Sequence, residues 1–155
     1  MPLKNEPNKI FISYAREDEV AAFNMKNGLE ARGLAVWMDQ CELSNGTNFL
    51  DELKRVVDND CKFFISLISR TTESEAESYF HLERNWAAQR AERFTDSDRG
   101  AFYHPVIIDD LDLGEISKDP LVFRNSQRVR LVDGQVSESF AHRMMSLAGV
   151  LSVQD

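Results

Sequence analysis

Lys62-Phe63-Phe64-Ile65-Ser66-Leu67-Ile68-Ser69 is the most apolar stretch of the chain and reads as the central strand of a sheet, buried on both faces. Upstream of it, Phe49, Leu53, Val56 and Val57 keep the i, i+4, i+7, i+8 rhythm of an amphipathic helix, with Thr47 or Asn48 as N-cap and Asp51 in its first turn. Before that comes a polar loop from Gln40 to Asn48 containing Asn45-Gly46, and a second strand, Leu34 to Asp39. A helix from Val20 to Arg32 presents Val20, Ala22, Phe23, Met25 and Leu29 on one side, and Gly33 stands where a left-handed residue stops it. The opening strand is Ile10-Phe11-Ile12-Ser13-Tyr14, and residues 1–8, with two prolines, read as a disordered lead-in.

Downstream, the overlapping capping patterns Thr72-x-x-Glu75 and Ser74-x-x-Glu77 predict a long third helix running to about Arg93. Pro105 to Ile108 predicts a fourth strand, with Pro105 tolerable only at its beginning. The acidic loop Asp109 to Asp119 reads as a solvated charge run, and Arg128 to Val132 as a short fifth strand. Val136, Phe140, Met144, Leu147 and Leu151 give the final helix, weakened at its end by Gly149, and 152–155 is a tail. Apolar strands alternating with amphipathic helices predict one α/β domain over 9–151, a flavodoxin-like three-layer sandwich. Its five-stranded parallel sheet has order 2-1-3-4-5 with helices on both faces. In such a sheet the ligand crevice lies at the carboxyl ends of strands one and three. That places Ser13, Tyr14 to Asp18 with Arg16 among them, and the Ser69 to Thr72 segment at the mouth, with Asp39 and its loop beside them.

Composition narrows the function. The 155 residues suit one domain that needs no staples. Eighteen basic against 26 acidic side chains leave a net charge of −8, and the isoelectric point is near 4.9. That balance argues against nucleic acid or anionic lipid as a direct partner. Two cysteines make no disulfide framework or zinc motif, and no apolar run is long enough for a membrane span, so a cytoplasmic protein is expected. The chain has no GxGxxG, GxxxxGK[ST], GxSxG or HExxH, and its three histidines are scattered. A phosphoacceptor receiver of the same strand order needs an aspartate closing the third strand, and none is there.

The third helix holds the candidate chemistry, Ser78-Tyr79-Phe80-His81-Leu82-Glu83-Arg84-Asn85-Trp86-Ala87. Tyr79, Leu82, Glu83 and Trp86 fall on one side by helical spacing, a partly desolvated setting that raises a carboxyl pKa. The structural alternative is that Glu83 pairs with an arginine such as Arg84 or Arg90.

At this helix the chain resembles a Toll/interleukin-1 receptor (TIR) domain of the bacterial, NAD-cleaving type. The matching pieces are Ile10 to Tyr14, Gly33 to Asp39, Leu43-x-x-Gly46-x-x-Phe49, Phe64 to Ser69, Ser78-Tyr79-x-x-x-Glu83 and Pro105 to Ile108, in family order and spacing. The resemblance implies that Glu83 is the catalytic glutamate of an NAD nucleosidase, with NAD as substrate and no cofactor or metal. It implies that Ser13, Tyr14, Arg16, Asp39, Ser44 and Tyr79 line the substrate pocket. Tyr79 keeps a ring where the family commonly has Trp. Self-association is implied through the BB loop (Cys41, Leu43, Asn45, Gly46), triggered by a fused or separate sensor, in anti-phage immunity. Two alternatives stay open beside it. One is a non-catalytic TIR adaptor or host-mimicking effector. The other is a nucleoside deoxyribosyltransferase-like enzyme, against which the Trp37-Met38-Asp39 and BB-loop matches argue.

Overall fold

The computed structural model describes residues 9–38, 49–74 and 79–150. Phe63–Ile68 is β3, all six residues buried, at the middle of a five-stranded sheet of order 2-1-3-4-5. Its neighbours are β1 (Ile10–Ser13) and β4 (Tyr103–Ile107); β2 (Val36–Met38) and β5 (Val129–Arg130) form the edges. Every pairing is parallel, with Ile10 opposite both Val36 and Phe63, and Phe64 opposite Tyr103. The edge strands are short, which limits the open ladder available to another chain.

The helices are α1 (Glu19–Glu30), α2 (Phe49–Arg55, widening into a π-helical turn at Val56–Asp60), α3 (Arg70–Ser74), α4 (Tyr79–Ala91), α5 (Asp96–Phe102) and α6 (Glu138–Ala148). Strand alternation divides the core between two faces. Ile10, Ile12, Phe63, Ile65, Leu67 and Val106 pack with Met25 and Leu29 of α1 and Phe140 and Met144 of α6. Phe11, Phe64 and Tyr103 turn the other way, onto Leu53 of α2, Ala87, Ala88 and Ala91 of α4, and Phe102 of α5. Gly33 (φ +87°) and Gly149 (φ +78°) follow α1 and α6 in the left-handed conformation that terminates a helix. Among the described residues no helix is long and apolar enough to cross a membrane. The expected lead-in (1–8) and tail (152–155), and the N-cap at Thr47 or Asn48, lie outside the described residues.

Four expectations need correction. On α1, Val20 is 73% and Phe23 39% exposed; the helix turns Ala22, Met25 and Leu29, spaced three and four apart, onto the sheet instead. Where one long third helix is expected, the described residues form α3 from Arg70 and α4 from Tyr79 to Ala91, and α3 starts before the Thr72 pattern because Ser69 caps it: Thr72 N–H donates to Ser69 Oγ (3.2 Å) and Ser69 N–H to Thr72 Oγ1 (2.9 Å). Pro105 sits mid-strand rather than at the start of β4; β5 reaches only Val106 and Ile107, so one side of β4 is free of a ladder at Pro105 and the missing N–H costs little. The acidic loop is held at its end. Asp119 is nearly buried, accepting from Tyr103 Oη and from Arg128 Nη2 (3.0 Å), while Tyr103 stacks on Phe123 at 3.5 Å. Helix α5 adds an element the periodicity does not announce; Thr95 caps it by accepting from Asp98 N–H at 3.1 Å.

His104 on β4 is buried, its ring edge-on to Phe63 and its Nε2 at 2.8 Å from the Ala101 carbonyl. Burial, the larger influence, and the Arg143 charge push its pKa down from 6.5 to about 4, against the Ala101 bond. The unfolded chain therefore binds this proton first. The stability that neutral His104 contributes is complete above pH 6.5 and is lost as pH falls towards 4, about 3 kcal/mol in all. Urea unfolding at pH 7 and pH 4.5 is expected to show this loss in the wild type and a shallower one in His104→Gln. Equal pH slopes in the two proteins would remove His104 as the cause.

Candidate active site

The order 2-1-3-4-5 makes the chain reverse between β1 and β3, the place where sheets of this order generally bind their ligands. Ser13 is the last residue of β1 and lies in register with Ser66 of β3; both are fully buried. By alternation Ser13 shares the face of Phe11, towards α4. Ala87, Ala88 and Ala91 on the inner side of α4 leave little side chain between helix and sheet, which brings the helix close. One turn before Ala87, Glu83 is fully buried, and its Oε1 accepts from Ser13 Oγ at 2.6 Å, the length of a charge-assisted bond.

The arginines offered as partners for Glu83 bond elsewhere. Arg84 Nη2 donates to the Leu67 carbonyl (3.0 Å), and Arg90 Nη1 to the carbonyls of Val57 and Cys61 (2.8 Å each). The aromatic stripe is also corrected: Leu82 is 39% exposed and Trp86 packs on the α2–α4 cluster, with Lys54 Nζ 5.9 Å from its ring. Glu83 owes its burial to the sheet rather than to that stripe, because residues 83, 87 and 91 repeat every four positions along the inner face.

The loops leaving β1 and β3 are tied across the mouth. A 3₁₀ turn at Arg16–Asp18 brings Asp18 to Ser69, whose Oγ donates to Asp18 Oδ2 at 2.6 Å. Tyr14 is half-buried against the α1–α6 cluster, and Arg16 is exposed. The structure thus brings Ser13 and Glu83 into contact and places Tyr14 and Arg16 directly after Ser13. Asp39, Cys41, Leu43, Ser44, Asn45 and Gly46 lie outside the described residues, as does the side chain of Tyr79, the first residue of α4. Asp18 and Ser69 fall where the strand order places them; two residues, Glu73 and Arg84, which pair at 3.5 Å, are not foreseen as site components and have no local signal.

Burial pushes the Cys61 thiol up to about 12 despite the Arg90 charge beside it, so it is no nucleophile. Among the described residues no three His, Cys, Asp or Glu side chains gather as a metal site requires. What the site offers is one buried carboxylate, oriented by a buried hydroxyl, at the carboxyl end of β1.

A family model described as TIR domain matches residues 10–145. No curated protein matches the chain. Among solved structures, it is similar to a metazoan TIR-STING receptor from C. gigas in complex with 2′,3′-cGAMP, at 17% identity and a TM-score of 0.61, over 90% of this chain and 39% of that one. It is also similar to the TIR domains of the activated Roq1 resistosome directly recognizing the pathogen effector XopQ, at 17% identity and a TM-score of 0.56, over 92% of this chain and 84% of that one. At these identities the likeness is one of fold.

Proposed function

The chain belongs to the TIR domain family, and from that premise we propose that it is an NAD nucleosidase with Glu83 as its catalytic carboxylate. The observation that carries this reading is the Glu83 carboxylate buried at the carboxyl end of β1 and oriented by Ser13 Oγ at 2.6 Å. NAD is the substrate, and no cofactor is called for. The glycosidic nitrogen of NAD is already cationic, so nicotinamide leaves as a neutral molecule, taking the electron pair of the C1′–N bond. The ribosyl centre left behind is oxocarbenium-like. A negative charge held where water is excluded stabilises that cation more than it stabilises the ground state. Water then adds at C1′ and gives up a proton, yielding ADP-ribose, or an adenine nitrogen of the same molecule adds and yields a cyclic isomer.

Tyr14 and Tyr79 are proposed to stack on the rings of NAD, with Arg16, Asp39 and Ser44 completing its pocket. Activity is proposed to need self-association, with Cys41, Leu43, Asn45 and Gly46 reaching a neighbouring copy. The setting proposed is bacterial anti-phage immunity in the cytoplasm, with a fused or separate sensor as trigger.

The completeness of Glu83's burial favours a second reading, in which the Ser13–Glu83 bond braces α4 against β1 and the domain works only through contacts. Turnover separates the two. Concentrated protein, with and without crowding agent, is incubated with NAD beside Glu83→Ala, and products are resolved by chromatography. Nicotinamide release that the variant lacks supports the nucleosidase. Its absence from both proteins leaves the contact module.

A further inference from the structure

We propose that Arg84 and Glu73 are a positioning pair, setting the Glu83 carboxylate against Ser13 and coupling it to the backbone at Ser117 and Lys118; the inference deepens the nucleosidase reading and rests on it. Arg84 is the residue after the proposed catalytic carboxylate, and its side chain is 1% exposed. Its Nη2 donates to the Leu67 carbonyl at 3.0 Å. Ile68 turns its carbonyl to β4, accepting from Ile108 N–H at 3.0 Å, so by strand alternation the Leu67 carbonyl faces β1. β1 ends at Ser13, opposite Ser66, so no strand N–H continues the ladder there. The Arg84 guanidinium thus takes over the hydrogen bond that β1 would have made one step further on. It lies just past the strand end at which Glu83 meets Ser13.

Glu73 stands on the other side of this cation, with Oε2 3.5 Å from Arg84 Nη1 and a side chain 5% exposed. Its Oε1 accepts from the backbone N–H of Ser117 (2.7 Å) and Lys118 (2.9 Å). The face of Phe80 lies 5.4 Å from the guanidinium. The pair therefore joins α3, α4, β3 and the segment before Pro120 at one buried point.

Stability does not explain such a pair. Replacing a buried ion pair with uncharged groups of similar volume is often neutral or stabilising, whereas removing one partner is severe. Geometry explains it better. Consecutive residues on a helix move together, so anchoring Arg84 to Leu67 fixes where the Glu83 carboxylate sits. A misplacement of about 1 Å near a reacting centre lowers rate by about 10²-fold.

The test is the double variant Arg84→Met/Glu73→Gln, which removes both charges while Gln keeps an acceptor for Ser117 and Lys118. Its melting temperature is expected within about 5 °C of wild type, since the two charges leave together. Its kcat is expected to fall about 100-fold with KM changed less than about threefold. In its crystal structure the Ser13–Glu83 bond, 2.6 Å in the wild type, is expected to open beyond about 3.5 Å. A folded double variant with wild-type kcat and an intact bond overturns the proposal. Should the double variant not fold, Arg84→Lys decides: a point donor in place of the guanidinium is expected to lower kcat about tenfold and lengthen the bond, and no change in either refutes the role. The crystallographic comparison holds even if the wild type leaves NAD untouched. In that case the nucleosidase reading falls, and the bond length alone decides the positioning role.

Discussion

Glu83→Gln is expected to release nicotinamide at least about 10³-fold more slowly than the wild-type domain, through kcat rather than KM. Glutamine has nearly the shape of glutamate, and its carbonyl still accepts from Ser13 Oγ, so fold and substrate binding are expected to persist. What disappears is the negative charge. The developing ribosyl cation needs that charge only as the C1′–N bond breaks, so the loss falls on the chemical step. Ser13→Ala makes the complementary change: the charge stays, and its orienting bond, 2.6 Å long, goes. A bond to a charged group contributes about 1.5–3 kcal/mol, so this variant is expected to lose about 10- to 100-fold. Steady-state nicotinamide release, measured where the wild type is assembled, gives both values. A Glu83→Gln protein with wild-type kcat would move the chemistry to another group. Under the bracing reading there is no turnover to lose, and Glu83→Ala instead lowers unfolding free energy by about 2–3 kcal/mol while partner binding persists.

The architecture is largely legible in the sequence, because a parallel sheet covered on both faces leaves continuous apolar strands, and the Phe63–Ile68 run could be little else. The strand order, and with it the carboxyl ends of β1 and β3 as neighbours, follows from the same pattern. Glu83 is legible as a candidate, but for an incomplete physical reason. Helical spacing puts it in a stripe with Tyr79, Leu82 and Trp86, whereas Leu82 faces out and Trp86 packs on the α2–α4 cluster. Its partner Ser13 lies 70 residues away. Register between β1 and β3, and the closeness allowed by three alanines, bring the two together, and neither leaves a local mark. The same holds for Pro105, whose place inside β4 depends on how short β5 is, and for Arg84, whose bond to the Leu67 carbonyl depends on where β1 stops. Helix α5 is missed, because its capped acidic first turn at Thr95, Asp96 and Asp98 is not followed by apolar periodicity.

Gly134→Ala is expected to destabilise the domain by about 4 kcal/mol or more, enough to leave much of it unfolded at growth temperature. The argument is steric and conformational. Gly134 closes the 3₁₀ turn after β5 at φ +76°, a backbone region costly for any residue with a Cβ. A Cβ there would lie 2.0 Å from the Ala21 carbonyl oxygen and 2.8 Å from its carbon, both backbone atoms of α1. Neither neighbour is a flexible side chain that can step aside. Relief requires α1 to retreat from the sheet, and α1 carries Met25 and Leu29 into the core. It would also strain the bond from Asn24 Nδ2 to the Asp133 carbonyl, 2.9 Å long. The preceding Asp133 is itself at φ 57°, so the turn has no slack of its own to give. Gly100→Ala is the matched control: it lies within α5 with no atom within 4 Å of an added Cβ, and it is expected to raise stability by about 0.5–1 kcal/mol. Urea unfolding of the two variants beside wild type measures both effects. A Gly134→Ala protein as stable as wild type would mean that α1 does not rest on this turn, and the close contact between α1 and the end of the sheet would have to be abandoned.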